Sequence, residues 1–367
     1  MKRCGDGEGR LLLIPFAPGI GDVVMMEPLL RAVCTHLPEW RVTLIGREYA
    51  SDLLPDGDYE VVSPPYFVSE TPTPLRPLDR LIPRRLIAWA AEPAFALDLG
   101  PFQRVINLFW VWESQTPFDE WWTPEWPLRR GVRHTVDLLA DHLEAELGTS
   151  IPPSDRTPRV RLFPEAEEWA AEYHRKSLSP ETPVASLVVS ASNSLKWWSA
   201  RKWAELNDRL AETGWATMLI APQDHLHARD VRAACGSKPL WPRASIRQVA
   251  ALLARSGVVI GIDTGPLHMA SALGVPWVGL FGASNPDLIG PYDRSRGRAL
   301  VSRFPKPDSC RQCWRAFKNR EDRCPTLPTT GCTTMISVQE VLAAVDSLRP
   351  GTGIASLRHL GHEIEED

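Results

Sequence analysis

Carboxylates, glycines, a lysine and thiols fall at four places in the 367-residue chain where their spacing could do chemistry. The first is Pro18-Gly19-Ile20-Gly21-Asp22-Val23-Val24. Gly19 and Gly21 permit a tight turn and a close backbone approach to a ligand. A dinucleotide fingerprint would need a third glycine where Val24 stands. Asp22 reads either as the cap of the following helix or as a general base at a cleft mouth. The second place is Asp263-Thr264-Gly265-Pro266, which ends a β-rich run and opens a helix. Pro266 suits the first helical position, where its missing N–H costs nothing. The amides of Gly265, Leu267 and His268 would then face outward at the positive end of the helix dipole, an anion site suited to a diphosphate. An ordinary capped turn uses the same residues. Asp263 reads as a cap or a brace for this loop, and His268 as a phosphate contact or a half-buried helix residue.

The third place is Ser190 to Trp198 (SASNSLKWW), where small polar residues leave room for a ligand. Lys196 there is either one cation for a phosphate or a solvated surface lysine. The fourth is Cys310-x2-Cys313-x10-Cys324-x7-Cys332. Four thiols at this spacing fit a tetrahedral zinc or iron site; two disulfides or unligated buried thiols are the alternatives. A metal with all four ligands from cysteine keeps no open position, so its role would be structural. Asp56-Gly57-Asp58 has the look of a D-x-D metal motif but follows Pro55 with no strand before it, and it reads as a surface turn.

The elements that must position these residues alternate in period. Apolar runs at 11–16, 41–46, 105–108, 184–189, 216–220, 258–262 and 276–281 predict strands. Helical spacing predicts helices over 23–37, 86–91, 135–147, 200–213, 245–254, 267–273 and 337–348. Gly148 and Gly214 stop two of them, and Ser245 caps a third. Strand–helix alternation means parallel sheets with right-handed crossovers. The pattern restarts after the Pro-rich piece 151–161, which reads as a linker, so the chain divides into two α/β halves with a cleft at the carboxyl ends of their strands. Trp110, Trp112, Trp121, Trp122 and Trp126 serve either core packing or a stacking platform for a sugar or an adenine.

Composition narrows the class. Hydrophobic residues at 44% and charged residues at 23% describe a globular chain. A net charge of −4 gives no electrostatic case for nucleic acid. No apolar run is long enough for a membrane span, and the N-terminus has no secretory cleavage pattern. Isolated Cys4, Cys34 and Cys235 point to a reducing cytoplasm.

These motifs resemble glycosyltransferase family 9, the ADP-heptose heptosyltransferases. The resemblance rests on Gly21-Asp22-Val23 followed by Pro28-Leu29-Leu30-Arg31-Ala32, on Lys196-Trp197-Trp198, and on Asp-Thr-Gly-Pro-x-His-x-Ala-x-Ala-Leu-Gly-x-Pro from Asp263 to Pro276. Gly279-Leu280-Phe281-Gly282 and Gly290-Pro291-Tyr292 extend it, and the order holds from about residue 10 to 345. It implies an α/β GT-B fold of two Rossmann-like domains. Residues 1–175 would form the acceptor side, 176–336 the donor side with the four-cysteine element, and 337–367 a terminal helix and tail. It implies an inverting transfer of heptose from ADP-heptose to an acceptor hydroxyl, with no metal at the reaction centre.

By the same resemblance Asp22 is the base. Lys196, Thr264 and Gly265 hold the donor diphosphate, Ser192 and His268 add donor contacts, and Asp263 supports the turn or approaches the sugar. Gly19 and Gly21 shape the loop. The four cysteines resemble the iron-holding element of autotransporter heptosyltransferases, which glycosylate protein Ser or Thr, so the acceptor is a protein or a lipopolysaccharide-type glycan. Peripheral membrane contact and a homo-oligomer are both compatible with this reading. A nicotinamide-dependent oxidoreductase built on Gly19 and Gly21, and a non-catalytic nucleotide-sugar-binding protein, are the competing readings.

Overall fold

A computed structural model describes residues 9–17, 19–57, 59–63, 102–108, 133–302 and 331–349. The helix expected at 86–91, the tryptophan-rich stretch 110–126, Asp58, and Cys310, Cys313 and Cys324 lie outside the described residues.

The first half opens with β1 (Gly9–Ile14), α1 (Ile20–His36), β2 (Trp40–Ile45), β3 (Tyr59–Val62) and β4 (Arg104–Asn107). Its helices are α2 (Thr135–Leu147) and α3 (Pro164–Ser177). The second half holds β5 (Val184–Val188), α4 (Ala200–Glu212), β6 (Ala216–Ile220), α5 (Leu226–Ala234), α6 (Ile246–Ala254), β7 (Val258–Ile262), α7 (Gly265–Ala272), β8 (Trp277–Phe281), α8 (Pro286–Ile289), β9 (Gly297–Val301) and α9 (Val338–Asp346).

Both sheets are parallel, with strand orders β3-β2-β1-β4 and β6-β5-β7-β8-β9. The central strands are near-continuous apolar runs, as strands covered on both faces must be. All five residues of β5, β7 and β8 are buried. Strand order reverses beside β1 in the first sheet and between β5 and β7 in the second. Loops diverging from such a reversal leave a crevice at the carboxyl ends of the strands. The loops carrying Gly19–Asp22, Lys196 and Asp263–Gly265 follow β1, β5 and β7, so all three open onto these crevices.

Local signals account for the helix ends. Gly148 and Gly214 adopt φ of 64° and 85°, the left-handed region where glycine carries no Cβ penalty. Ser245 Oγ accepts from the Gln248 amide, and the Gln248 side chain accepts from the Ser245 amide. Differences from expectation have physical reasons. Helix α3 is highly charged, and its short apolar stripe of Ala166, Trp169, Ala170 and Tyr173 fully buries only the two alanines. Strand β9, at the edge of its sheet among the described residues, has an apolar run of only three residues, Ala299-Leu300-Val301, after Gly297-Arg298. The 151–161 piece is more than a linker: Arg156 is buried there and binds Asp137, Asp141 and Glu144 at 3.2, 2.9 and 3.0 Å. Asp56 does stand in an exposed turn, paired with Arg161.

One apolar core runs through both halves. It joins Leu11, Leu13, Val24 and Leu29 of the first with Leu252, Leu267 and Met269 of the second. A second core on the far face of the larger sheet contains Trp198 and Trp203, which meet edge-on at 5.0 Å. The halves are also joined at Phe163. Its ring lies 4.1 Å from the Arg161 guanidinium and 3.9 Å from that of Arg247, on α6. Arg247 reaches Asp52 of the first half at 2.6 Å. Phe163→Ala is expected to cost about 3 kcal/mol and to split the thermal unfolding of the chain into two resolved transitions in calorimetry. A single unshifted transition would show that Phe163 does not join the halves.

Candidate active site

The loop after β1 ends at Gly19, whose extended backbone starts α1. Gly19 has no side chain to cap the helix. Asp22 instead reaches back, its Oδ2 accepting from the Gly19 amide at 2.9 Å. The helix-cap role and a place in the cleft are thus both met by one carboxylate. Burial is the dominant influence on Asp22 and pushes its pKa up. The Gly19 amide, His268 and Lys196 pull it down without cancelling that effect, and Asp263 adds to the rise. The groups acting on Asp22 therefore include three from the second half.

Facing it, Thr264 precedes α7 in an extended conformation and gives no side-chain cap. The expected register shifts by one: Gly265 takes the first helical position and Pro266 the second. The Leu267 amide turns back onto the Thr264 carbonyl at 3.0 Å, so it is not one of the outward amides. Asp263 is buried. Its Oδ2 lies 2.9 Å from Lys196 Nζ, and its carbonyl accepts from the same ammonium at 3.2 Å. His268 Nε2 lies 3.9 Å from Asp263 Oδ1. Burial alone would raise the Asp263 pKa, but Lys196 and His268 together hold it well below the usual carboxylate range. Lys196 is therefore neither a solvated surface lysine nor a lone cation. Asp263 aims it across the turn.

The two loops meet at close range. A Cβ at Gly265 would overlap Cβ and Cγ2 of Ile20 and stand 3.2 Å from the Gly21 amide nitrogen. A Cβ at Gly21 would come within 2.8 Å of His268 Cδ2. Glycine is required at both positions by close approach, not by backbone angle. Ser192 is exposed in the loop between β5 and the turn that ends at Lys196.

Cys332 is buried in a short 3-10 turn, Cys332–Met335. A Cβ at Gly282 would lie 2.8 Å from its Sγ. Lys202 Nζ donates to the Thr334 and Ile336 carbonyls at 2.6 and 2.9 Å, and Trp198 Nε1 donates to the Ile336 carbonyl at 3.0 Å. The end of the cysteine element is thus fastened to the segment that follows Lys196. Among the described residues no cluster of three or more His, Cys, Asp or Glu forms a metal site.

Several residues near the site have no sequence motif of their own. Tyr49, just after β2, has its pKa raised to about 12, chiefly by burial; Arg47 opposes the rise and Asp22 adds to it. His134 lies close enough to His268 to feel its charge. Such neighbours come from separate loops, and no local pattern marks them.

Two parallel, doubly wound α/β halves with a polar site between them define the GT-B glycosyltransferase architecture. The profile of glycosyltransferase family 9 (heptosyltransferase) matches residues 116–316, over half of the chain, and the chain belongs to that family. It is 32% identical over 154 residues to lipopolysaccharide heptosyltransferase 1 of Pseudomonas aeruginosa, covering 41% of this chain. That alignment spans 43% of the Pseudomonas enzyme, less than half its length. A glycosyltransferase family 9 structure from Veillonella parvula superposes with a TM-score of 0.63 at 20% identity, covering 95% of this chain and 98% of that one. TibC from enterotoxigenic E. coli, an iron-containing dodecameric glycosyltransferase, superposes with a TM-score of 0.57 at 16% identity, covering 95% and 77%. TibC has also been solved in complex with ADP-D-β-D-heptose. No helix among the described residues is long and apolar enough to cross a membrane.

Gly265→Ala should pry the loops apart, since the added methyl must displace Ile20 or the Gly21 backbone. The expected cost is about 1–3 kcal/mol, read as a lowered melting temperature with a larger radius of gyration in X-ray scattering. No change in either would show that the approach is looser than described.

Proposed function

We propose that the chain transfers a heptose from ADP-heptose to an acceptor hydroxyl with inversion at the anomeric carbon. The observation that carries this reading is the meeting of Asp22 with Lys196, Asp263 and His268 across the two halves. The donor lies on the second half, residues 176–336, with its diphosphate at Thr264–Gly265 and Lys196 and further contacts from Ser192 and His268. The acceptor approaches the first half, residues 1–175. Asp22 takes the hydroxyl proton as the acceptor oxygen bonds to the anomeric carbon. The bond from that carbon to the β-phosphate oxygen breaks, and ADP leaves with its electron pair. Amides at the start of α7 and the Lys196 ammonium stabilise the developing charge. Asp263, held ionised, keeps Lys196 in place. The raised pKa of Asp22 makes it a stronger base than an ordinary aspartate.

Likeness to TibC in fold, together with the four cysteines, favours a protein hydroxyl as acceptor; a lipopolysaccharide-type glycan is the other outcome. The isolated cysteines favour a reaction in the reducing cytoplasm, and a homo-oligomer is compatible with this reading, as TibC is dodecameric. The four thiols suit iron or zinc, which would be held by Cys310, Cys313, Cys324 and Cys332. Such a metal would pin the loop behind Lys196 and leave the reaction centre to Asp22.

Asp22→Asn keeps the reach-back contact to Gly19 but has no basicity. It is expected to lower transfer from ADP-heptose about 10²–10⁴-fold while ADP still binds. Only ionised Asp22 accepts the proton, and its pKa lies above the ordinary 3.8. The kcat/KM profile should therefore fall as pH drops through a value higher than 3.8, and this limb should vanish in the residual activity of Asp22→Asn. Full activity of Asp22→Asn, or an unchanged acid limb, would reject the assignment.

Elemental analysis of the purified chain is expected to find about one iron or zinc per chain, lost in Cys332→Ser. Equal metal content in Cys332→Ser would remove Cys332 from the ligand set.

A further inference from the structure

We propose that His134 and Tyr292 are positioning residues that latch α2 of the first half to the Gly290–Tyr292 turn of the second, and so hold Asp22 in register with the Gly265 turn. The inference rests on the proposed role of Asp22.

The latch has two arms. His134 is the N-cap of α2, and its Nδ1 accepts from the Val136 amide at 3.2 Å. With Nδ1 an acceptor, the proton sits on Nε2, which lies 2.9 Å from the Gly290 carbonyl and donates to it across the halves. The ring also meets Tyr292 edge-on, with centroids 5.0 Å apart. Tyr292 forms the second arm, its hydroxyl donating to Asp137 Oδ1 at 2.9 Å. Asp137 is anchored in turn by Arg156, in the piece that connects the halves. Burial pushes the His134 pKa down to about 4, the Gly290 carbonyl offsetting part of the fall, so the ring is neutral at pH 7 and fits the required tautomer.

Both arms act at the site's edge. Helix α2 packs on α1, which carries Asp22, and α1 packs on α7, which begins at Gly265. His134 is also near enough to His268 to feel its charge. A displacement of about 1 Å between base and donor is enough to cost about 10²-fold in rate. A latch on these helices is therefore placed to set that distance.

Two variants of the full chain separate latching from plain stability. His134→Asn keeps a good N-cap for α2 but is too short to reach Gly290. Tyr292→Phe keeps the ring contact and removes only the hydroxyl. Each is expected to lower kcat about 10- to 100-fold, with ADP affinity changed less than threefold. The double variant should be no worse than the weaker single, because both arms close one contact. X-ray scattering of the ligand-free chain should show a larger radius of gyration for each variant, a readout that needs no transfer activity. Should wild-type show no transfer while the variants still open in scattering, the latch stands and the proposed reaction fails. Unchanged scattering in both variants would overturn the latch. A loss of ADP affinity equal to the loss of kcat would overturn it too, making His134 a donor contact.

Discussion

Ile20 and Gly21, at the start of one helix, lie against Gly265 and His268 at the start of another, closer than any side chain at the two glycines would allow. Much else in the molecule follows from that contact. Two helix N-termini, each carrying partial positive charge, are brought together across the halves. Two carboxylates offset that charge, and their surroundings push them in opposite directions. Asp263, paired with Lys196, is held ionised. Asp22 accepts a hydrogen bond from the Gly19 amide of its own loop and is pushed towards a higher pKa. A pair of acids driven apart in this way can divide the work, one fixing a cation and the other exchanging a proton.

The scaffold makes this contact durable. Each functional loop follows a strand beside a reversal of strand order, where loops diverge and a crevice is left open. A core shared by both halves lies beneath the crevice. Phe163, between two guanidiniums, joins the halves at one place, and the His134–Tyr292 contacts join them at another. Cys332 begins a turn fastened to the segment that carries Trp198 and Lys202, so Cys332 and the Lys196 loop share a support.

Much of this was legible from residue order alone. Buried parallel strands announce themselves as apolar runs, and β6 and β7 keep the boundaries their runs predict. Gly148, Gly214 and Ser245 end or begin helices by local chemistry, which is why their roles could be read in advance. Helix α3 and strand β9 were hidden because one is charged on most of its surface and the other has an apolar run of only three residues. The site divides in the same way. Asp22, Lys196 and Asp263 sit in or beside loops whose glycines and small residues mark them. His134 and Gly290 meet across a separation of 156 residues, and no local period records such a contact. The placement of Pro266 was off by one, because Thr264 caps the helix through its extended backbone alone and leaves Gly265 to begin it.

A crystal structure of the full chain with bound ADP would show whether the two loops face one nucleotide. The β-phosphate is expected against the start of α7 and beside Lys196, with the Asp22 carboxylate facing it from across the same crevice, leaving room between them for one sugar ring. A β-phosphate bound away from Thr264–Gly265, or an Asp22 side chain pointing away from the nucleotide, would contradict this arrangement.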